Sequence, residues 1–200
     1  MTTIEEILQR GDALIVVDVQ NDFCPGGALP IADGDKVVPI LNRWIDAALT
    51  QGVPIYVSRD WHPIHHISFT QRDGLWPPHC IQDTEGARFH PDLHVPESAI
   101  IVTKGTRFDY DQYSAFDETG LATQLRHDGV RRLFVGGLAE DVCVLATVLD
   151  GLKENFEVAL IADATRPVTI SGGEEARQKM QEAGARLCRN PETNERRNQS

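Results

Sequence analysis

The chain has 200 residues, 41% apolar and 24% charged, enough for one sizeable core and too apolar for a disordered or fibrous polypeptide. Lysine and arginine total 19 against 30 aspartates and glutamates, a net charge of −11 with no basic face, which sets nucleic acid, acidic lipid surfaces and other polyanions aside as partners. No apolar run approaches the roughly 20 residues of a membrane span, and the opening MTTIEEILQRGD lacks the basic and apolar regions of a secretory signal, so the chain reads as cytoplasmic.

The first element is an apolar run over 13–19, read as a buried strand ending in Asp18 within VVDVQNDF. A helical period follows over 36–49, placing Val37, Ile40, Leu41, Trp44, Ile45 and Ala48 on one face. Further strand candidates stand at 53–57, 99–102, 132–136, 158–162 and 185–188, and a second helical period takes in Val142, Leu145, Leu149 and Leu152. Strands apolar on both faces belong to parallel sheets covered by helices, and strands alternating with helices imply right-handed βαβ crossovers. The expected fold is α/β: one doubly wound, mostly parallel six-stranded sheet with helices on both faces, forming a single domain over 1–190. One segment, 59–96, breaks the alternation. It holds six of the seven histidines together with Trp61, Phe69, Trp76 and Phe89, and is read as an ordered insertion carrying a site. The polar stretch 191–200 is expected to be a frayed tail.

In open α/β sheets ligands bind beyond the carboxyl ends of the strands, so the polar residues there are the candidates for chemistry. Asp18 ends the first run, and burial would raise its pKa toward that of a general base. Lys104 ends the third run in VTKG. The fourth run leads through Gly-Gly, Leu138, Ala139, Glu140 and Asp141 to Cys143. That places the thiol in the first turn of a helix, where N–H groups and the helix dipole favour a thiolate, while Glu140 and Asp141 cap the helix and add opposing charge. Singly, each has an ordinary reading as a capping Asp, a solvated Lys or a small buried thiol. Together they are a base, a cation and a nucleophile, the components of covalent acyl transfer. The other cysteines, at 24, 80 and 188, are too scattered for a metal or redox pair. In the insertion, Asp60, His62, His66 or its neighbour His65, and His79 form a donor set suited to Zn²⁺, Fe²⁺ or Mn²⁺.

The segments VDVQNDF, DWHPIHHISF, WPPHC, KGT…YSAF and GGLAEDVCV, in this order over about 13–150, resemble the isochorismatase-like cysteine hydrolase family. They are most similar to its metal-dependent branch, which converts nicotinamide to nicotinate and ammonia in NAD salvage and also deamidates pyrazinamide. The resemblance implies a Rossmann-like three-layer sandwich with Asp18 as proton-transferring base, Lys104 as stabilising cation and Cys143 as nucleophile. It also implies an oxyanion hole made by the N–H groups of Ala139 and Cys143, with a cis peptide at Leu138–Ala139. One divalent metal, Zn²⁺ ahead of Fe²⁺ or Mn²⁺, would sit on Asp60, His62, His66 and His79, His66 being preferred to His65 because it precedes x-S-F. Phe23, Trp76 and Tyr113 would line the ring pocket, the substrate would be a small amide, and a homo-oligomer is in keeping with the family. Glu140 and Val142 depart from the T-D-Y-C or T-D-H-C of many members. Two rival activities are a related cysteine hydrolase acting on another amide, a ureido compound or isochorismate, and, from a different class, a catalytically silent metal-binding scaffold.

Overall fold

Strand β1 (Asp12–Val17) is buried along its whole length because its side chains alternate between two cores. In the computed structural model, which describes residues 3–189, β1 lies at the centre of a six-stranded sheet. The other strands are β2 (Ile55–Asp60), β3 (Ile100–Lys104), β4 (Arg132–Leu138), β5 (Glu157–Arg166) and β6 (Arg186–Cys188). Their order is β3-β2-β1-β4-β5-β6, and every pairing is parallel, as the uniformly apolar runs imply.

On one face Leu14 and Val16 pack with Ile4 of α1 (Ile4–Ile7) and with Val38, Leu41, Trp44 and Ile45 of α2 (Val38–Gln51). On the other, Ala13, Ile15 and Val17 pack against α3 (Leu121–His127), α4 (Leu145–Lys153) and α5 (Ile170–Glu182) through Leu121, Leu125, Val148, Ala176 and Met180. This is the expected three-layer arrangement. No helix among the described residues is long and apolar enough to cross a membrane.

The elements differ from the sequence reading at their ends, for local reasons. The first strand stops at Val17 and not 19, because Asp18 adopts φ +48° and turns the chain out of the sheet. The helix expected at 36–49 starts with a 3-10 turn at Gly34–Val37 and runs on to Gln51, where Gly52 in the left-handed conformation caps it. β5 extends well past 162, because after a register shift its far end pairs with the last residues of β4. The edge strands are not apolar on both faces: Ile100 and Ile101 of β3 and most of β6 are open to solvent. α3 and α5 carry too few apolar positions to announce themselves in the sequence. The insertion holds one short 3-10 turn, Thr70–Arg72, and its first two residues belong to β2. The tail expected at 191–200 lies outside the described residues.

The centre of the sheet has one very close approach. Gly137 has φ +129°, and a Cβ there would stand 2.1 Å from the Val17 carbonyl oxygen. Gly137→Ala therefore combines backbone strain with a clash against backbone that has no room to yield. A loss of about 3 kcal/mol or more, read as a melting temperature lower by roughly 6–12 °C, is the expected result.

Candidate active site

The strand order reverses direction at β1 and β4, which opens a crevice at their carboxyl ends. Asp18, the residue after β1, and Lys104, the last of β3, both have side chains that are 0% exposed. Lys104 Nζ lies 2.8 Å from Asp18 Oδ2, 2.5 Å from Asp60 Oδ1 and 3.5 Å from Cys143 Sγ. One cation is thus shared between two carboxylates and a thiol. Ser58 donates its hydroxyl to Asp18 Oδ1 at 2.6 Å, while Oδ2 is ion-paired with Lys104 without accepting an aligned hydrogen bond, which leaves a lone pair for a proton. A carboxylate oxygen from each Asp and the Cys143 sulfur all lie within 4.8 Å of one another.

Burial dominates the electrostatics of this cluster. It pushes the Asp18 carboxyl up, Asp60 adds to the effect, and Lys104 and Ser58 work against it. It also pushes the Cys143 thiol well up, Lys104 opposing and the two carboxylates reinforcing. Burial and the two carboxylates thus work against the thiolate that the helix terminus and the lysine favour. For Lys104 burial acts downward and is overcome by Asp18, Asp60 and Cys143, so the ammonium is held charged. For Asp60 burial acts upward and is overcome by Lys104 and His62, so the carboxylate stays ionised.

Asp60, His62 and His79 each offer a ligand atom within 4.8 Å of the others, and all three are buried. His62 Nδ1 donates to the Gly105 carbonyl at 2.9 Å and His79 Nδ1 to the Pro77 carbonyl at 2.7 Å. A carbonyl only accepts, so Nδ1 carries a proton in each ring, and in the neutral form Nε2 holds the lone pair that metal-binding imidazoles require. A carboxylate and two such imidazoles fit a divalent ion of the Zn²⁺ type. His66 is not brought into this group, although the sequence reading set it beside the other three. Its ring stacks on His62 at 4.2 Å between centroids, but Nε2 donates to the Tyr110 carbonyl at 3.1 Å and Nδ1 accepts from Ser68 Oγ at 2.7 Å. Neither ring nitrogen has a lone pair to spare. His65 is exposed.

Cys143 lies in a five-residue π-helical turn, Glu140–Val144, that precedes α4. The peptide bond Leu138–Ala139 is cis. The turn's own bonds run from the N–H groups of Val142 and Val144 to the Ala139 carbonyl. Glu140 and Asp141 do not cap it, contrary to the sequence reading. Glu140 is paired with Arg177 of α5, and Asp141 accepts from the N–H groups of Val168 and Thr169. The negative charges facing the thiol are Asp18 and Asp60 instead. A pocket opens beside the sulfur, lined by Phe23, Trp76 and Tyr113 on its aromatic side, by aliphatic groups including Ile31, Val142 and Val168, and by Asp60, His62 and His79. Trp76 Nε1 donates to Tyr113 Oη at 3.1 Å, which fixes the two rings relative to each other.

Several residues to which the sequence reading gave no role hold the site in place. Buried Gln20 donates to the carbonyls of Asp60 and Ala87 and accepts from the Asp60 N–H, each at 2.8 Å, clamping the end of β2 to the insertion. Asp22 accepts from the Cys80 N–H at 2.7 Å, next to His79. Gln112 accepts from the Gly105 N–H at 2.9 Å and so steadies the carbonyl that orients His62. Gln20 and Asp22 lie inside VDVQNDF, where polar groups embedded in an apolar strand end were the available signal.

Residues 12–192 match the family model described as the Isochorismatase domain. The nicotinamidase of Escherichia coli (strain K12) is 41% identical over 198 residues, spanning 88% of this chain and 93% of its own. Among solved structures, the pyrazinamidase of Pyrococcus horikoshii in complex with zinc has a TM-score of 0.87 at 45% identity, covering 90% of this chain and 99% of that one. An L. infantum protein in complex with nicotinate has a TM-score of 0.84 at 35% identity, covering 94% and 96%.

Proposed function

The chain belongs to the isochorismatase family, and from that membership we propose that it hydrolyses nicotinamide to nicotinate and ammonia through a thioester on Cys143, accepting pyrazinamide as well. The observation that carries this reading is the placement of Cys143 Sγ against Lys104 and both carboxylates, at one end of an aromatic-lined pocket that also holds the Asp60, His62 and His79 donors.

In the mechanism Asp18 Oδ2 takes the thiol proton as sulfur attacks the carboxamide carbon. The negative charge that develops on the carboxamide oxygen is met by the N–H groups of Ala139 and Cys143. Lys104 stays protonated throughout and stabilises whichever of Asp18 and Cys143 is anionic. When the tetrahedral intermediate collapses, the C–N bond breaks and the Asp18 proton leaves with the nitrogen as ammonia. Water then attacks the thioester, giving one proton to Asp18. The C–S bond breaks, the thiol is reprotonated from Asp18, and the acid departs as nicotinate, its remaining proton passing to solvent. Phe23, Trp76 and Tyr113 enclose the ring. Asp60, His62 and His79 would hold the metal, Zn²⁺ in preference to Fe²⁺ or Mn²⁺. An ion held there would supply a template for placing the substrate ring. On this reading the nicotinate formed feeds pyridine-nucleotide salvage in the cytoplasm.

The deciding experiment is ammonia release from nicotinamide, pyrazinamide and a panel of ureido compounds at equal enzyme concentration. Nicotinamide is expected to give the highest kcat/KM, and preference for a ureido compound overturns the assignment. For the metal group, His62→Ala or His79→Ala is expected to weaken metal binding by about 100-fold or more and to raise KM for nicotinamide. Elemental analysis of the purified variants checks the first, and steady-state kinetics the second.

A further inference from the structure

A helix that starts with two acidic residues normally turns them onto its own free N–H groups. The nucleophile turn does not. Its N-cap position, Ala139, offers no side-chain cap, and both acids are engaged elsewhere. Glu140 is fully buried, and its two carboxylate oxygens are taken by Nε and Nη2 of Arg177, the latter at 2.9 Å. Arg177 Nη2 also reaches the Ala162 carbonyl of β5 at 3.5 Å. Asp141 accepts from Val168 N at 2.8 Å and Thr169 N at 3.3 Å, and Val168 is itself a wall of the pocket. The turn is therefore tied at two successive residues to β5, to the β5–α5 loop and to α5.

We propose that Glu140 and Arg177 are positioning residues for the hydrolysis: their two-point ion pair fixes the turn so that the Ala139 and Cys143 N–H groups stay uncapped and aimed at the reacting carbonyl. The proposal rests on the reading of Cys143 as nucleophile and adds to it a residue on α5 that never touches substrate. A planar guanidinium bound at two points sets an orientation, which a lysine at one point does not, so the pair acts through geometry as well as charge. Because the oxyanion develops only in the transition state, misaiming its donors lowers kcat and leaves KM nearly alone.

The test compares Arg177→Met, Arg177→Lys and the double variant Glu140→Gln/Arg177→Met, which removes the buried charge along with the tie. Each is measured for kcat and KM on nicotinamide, for metal content, for melting temperature, and for the rate at which iodoacetamide alkylates Cys143, resolved by peptide mass. The expected result is a fall in kcat of about tenfold or more in Arg177→Met and in the double variant, KM within about twofold, metal content unchanged and an altered alkylation rate. Arg177→Lys falls between these and the unsubstituted protein. The double variant is expected to melt higher than Arg177→Met, since it leaves no unpaired buried carboxylate, yet to stay slow. A double variant that recovers kcat along with its melting temperature overturns the proposal, as do losses that follow only the folded fraction. If the unsubstituted protein releases no ammonia from nicotinamide, the substrate reading fails by itself, and the alkylation rates still decide the positioning role.

Discussion

Cys143→Ala is expected to lower kcat for ammonia release by about 10⁴-fold or more while leaving metal content and fold unchanged. In the proposed mechanism the covalent intermediate forms on this thiol, so its loss removes the pathway and not just a contribution to it. What remains is the pocket, the paired carboxylates and any bound ion, which hold a substrate without attacking it. Folding should tolerate the change, because alanine removes one small buried group and leaves every ion pair of Lys104 with the carboxylates in place. Three measurements check this: a coupled ammonia assay, elemental analysis and a thermal melt. Full nicotinamide turnover by the variant would sink the mechanism.

Lys104→Met is expected to be the most damaging substitution for stability, at about 3–5 kcal/mol, and to abolish turnover as well. Methionine fills much of the same space, so packing is not the cause. The cause is that Asp18 and Asp60 would be left in a buried site without the one cation that lies within 3 Å of both. Two carboxylates so placed cannot both stay ionised, and one must take up a proton, its folded-state pKa rising above its unfolded value. A group raised in this way stabilises the fold at low pH and ceases to do so as pH rises through its folded pKa. The difference in unfolding free energy between variant and unsubstituted protein should therefore shrink as pH is lowered from 8 toward 5. Denaturant unfolding at several pH values reads this directly. A penalty that is flat with pH assigns the loss to packing instead.

The sheet was legible because its strands are continuous apolar runs: 13–19, 53–57 and 132–136 each fall on a strand, displaced by a few residues. What escaped was set by contacts across the fold. β5 runs on to Arg166 because the end of β4 is there to pair with it, and no local pattern announces that. α5 escaped because only Gly173, Ala176 and Met180 of its thirteen residues are buried, too sparse for a helical stripe. At the site, residue types in ordered motifs were enough to nominate Asp18, Lys104, Cys143, Asp60, His62 and His79, and the structure brings these six together. His66 shows the limit of that approach. A histidine's residue type advertises a ligand, but whether its lone pair is free depends on Ser68 and on Tyr110, 44 residues away. The same holds for Glu140, whose partner Arg177 lies 37 residues on in a helix the sequence does not mark.

The central position of β1 also governs when the site can exist during synthesis. β1 is made first, yet it needs β2 on one edge and β4 on the other, and Asp12 at its start is bonded to Arg132, 120 residues further along. Until that second edge is covered, a strand buried on both faces in the finished fold presents unpaired backbone and apolar side chains to whatever is nearby. Closing so long a loop comes at an entropic cost before any contact repays it, which favours late assembly. Because Asp18, the proposed base, follows β1 and Cys143, the proposed nucleophile, follows β4, the pairing of β1 with β4 also brings these two residues together. A ribosome-bound chain that ends before β4 therefore carries Asp18, Asp60, His62, His79 and Lys104 but not Cys143, and the proposed reaction has no nucleophile.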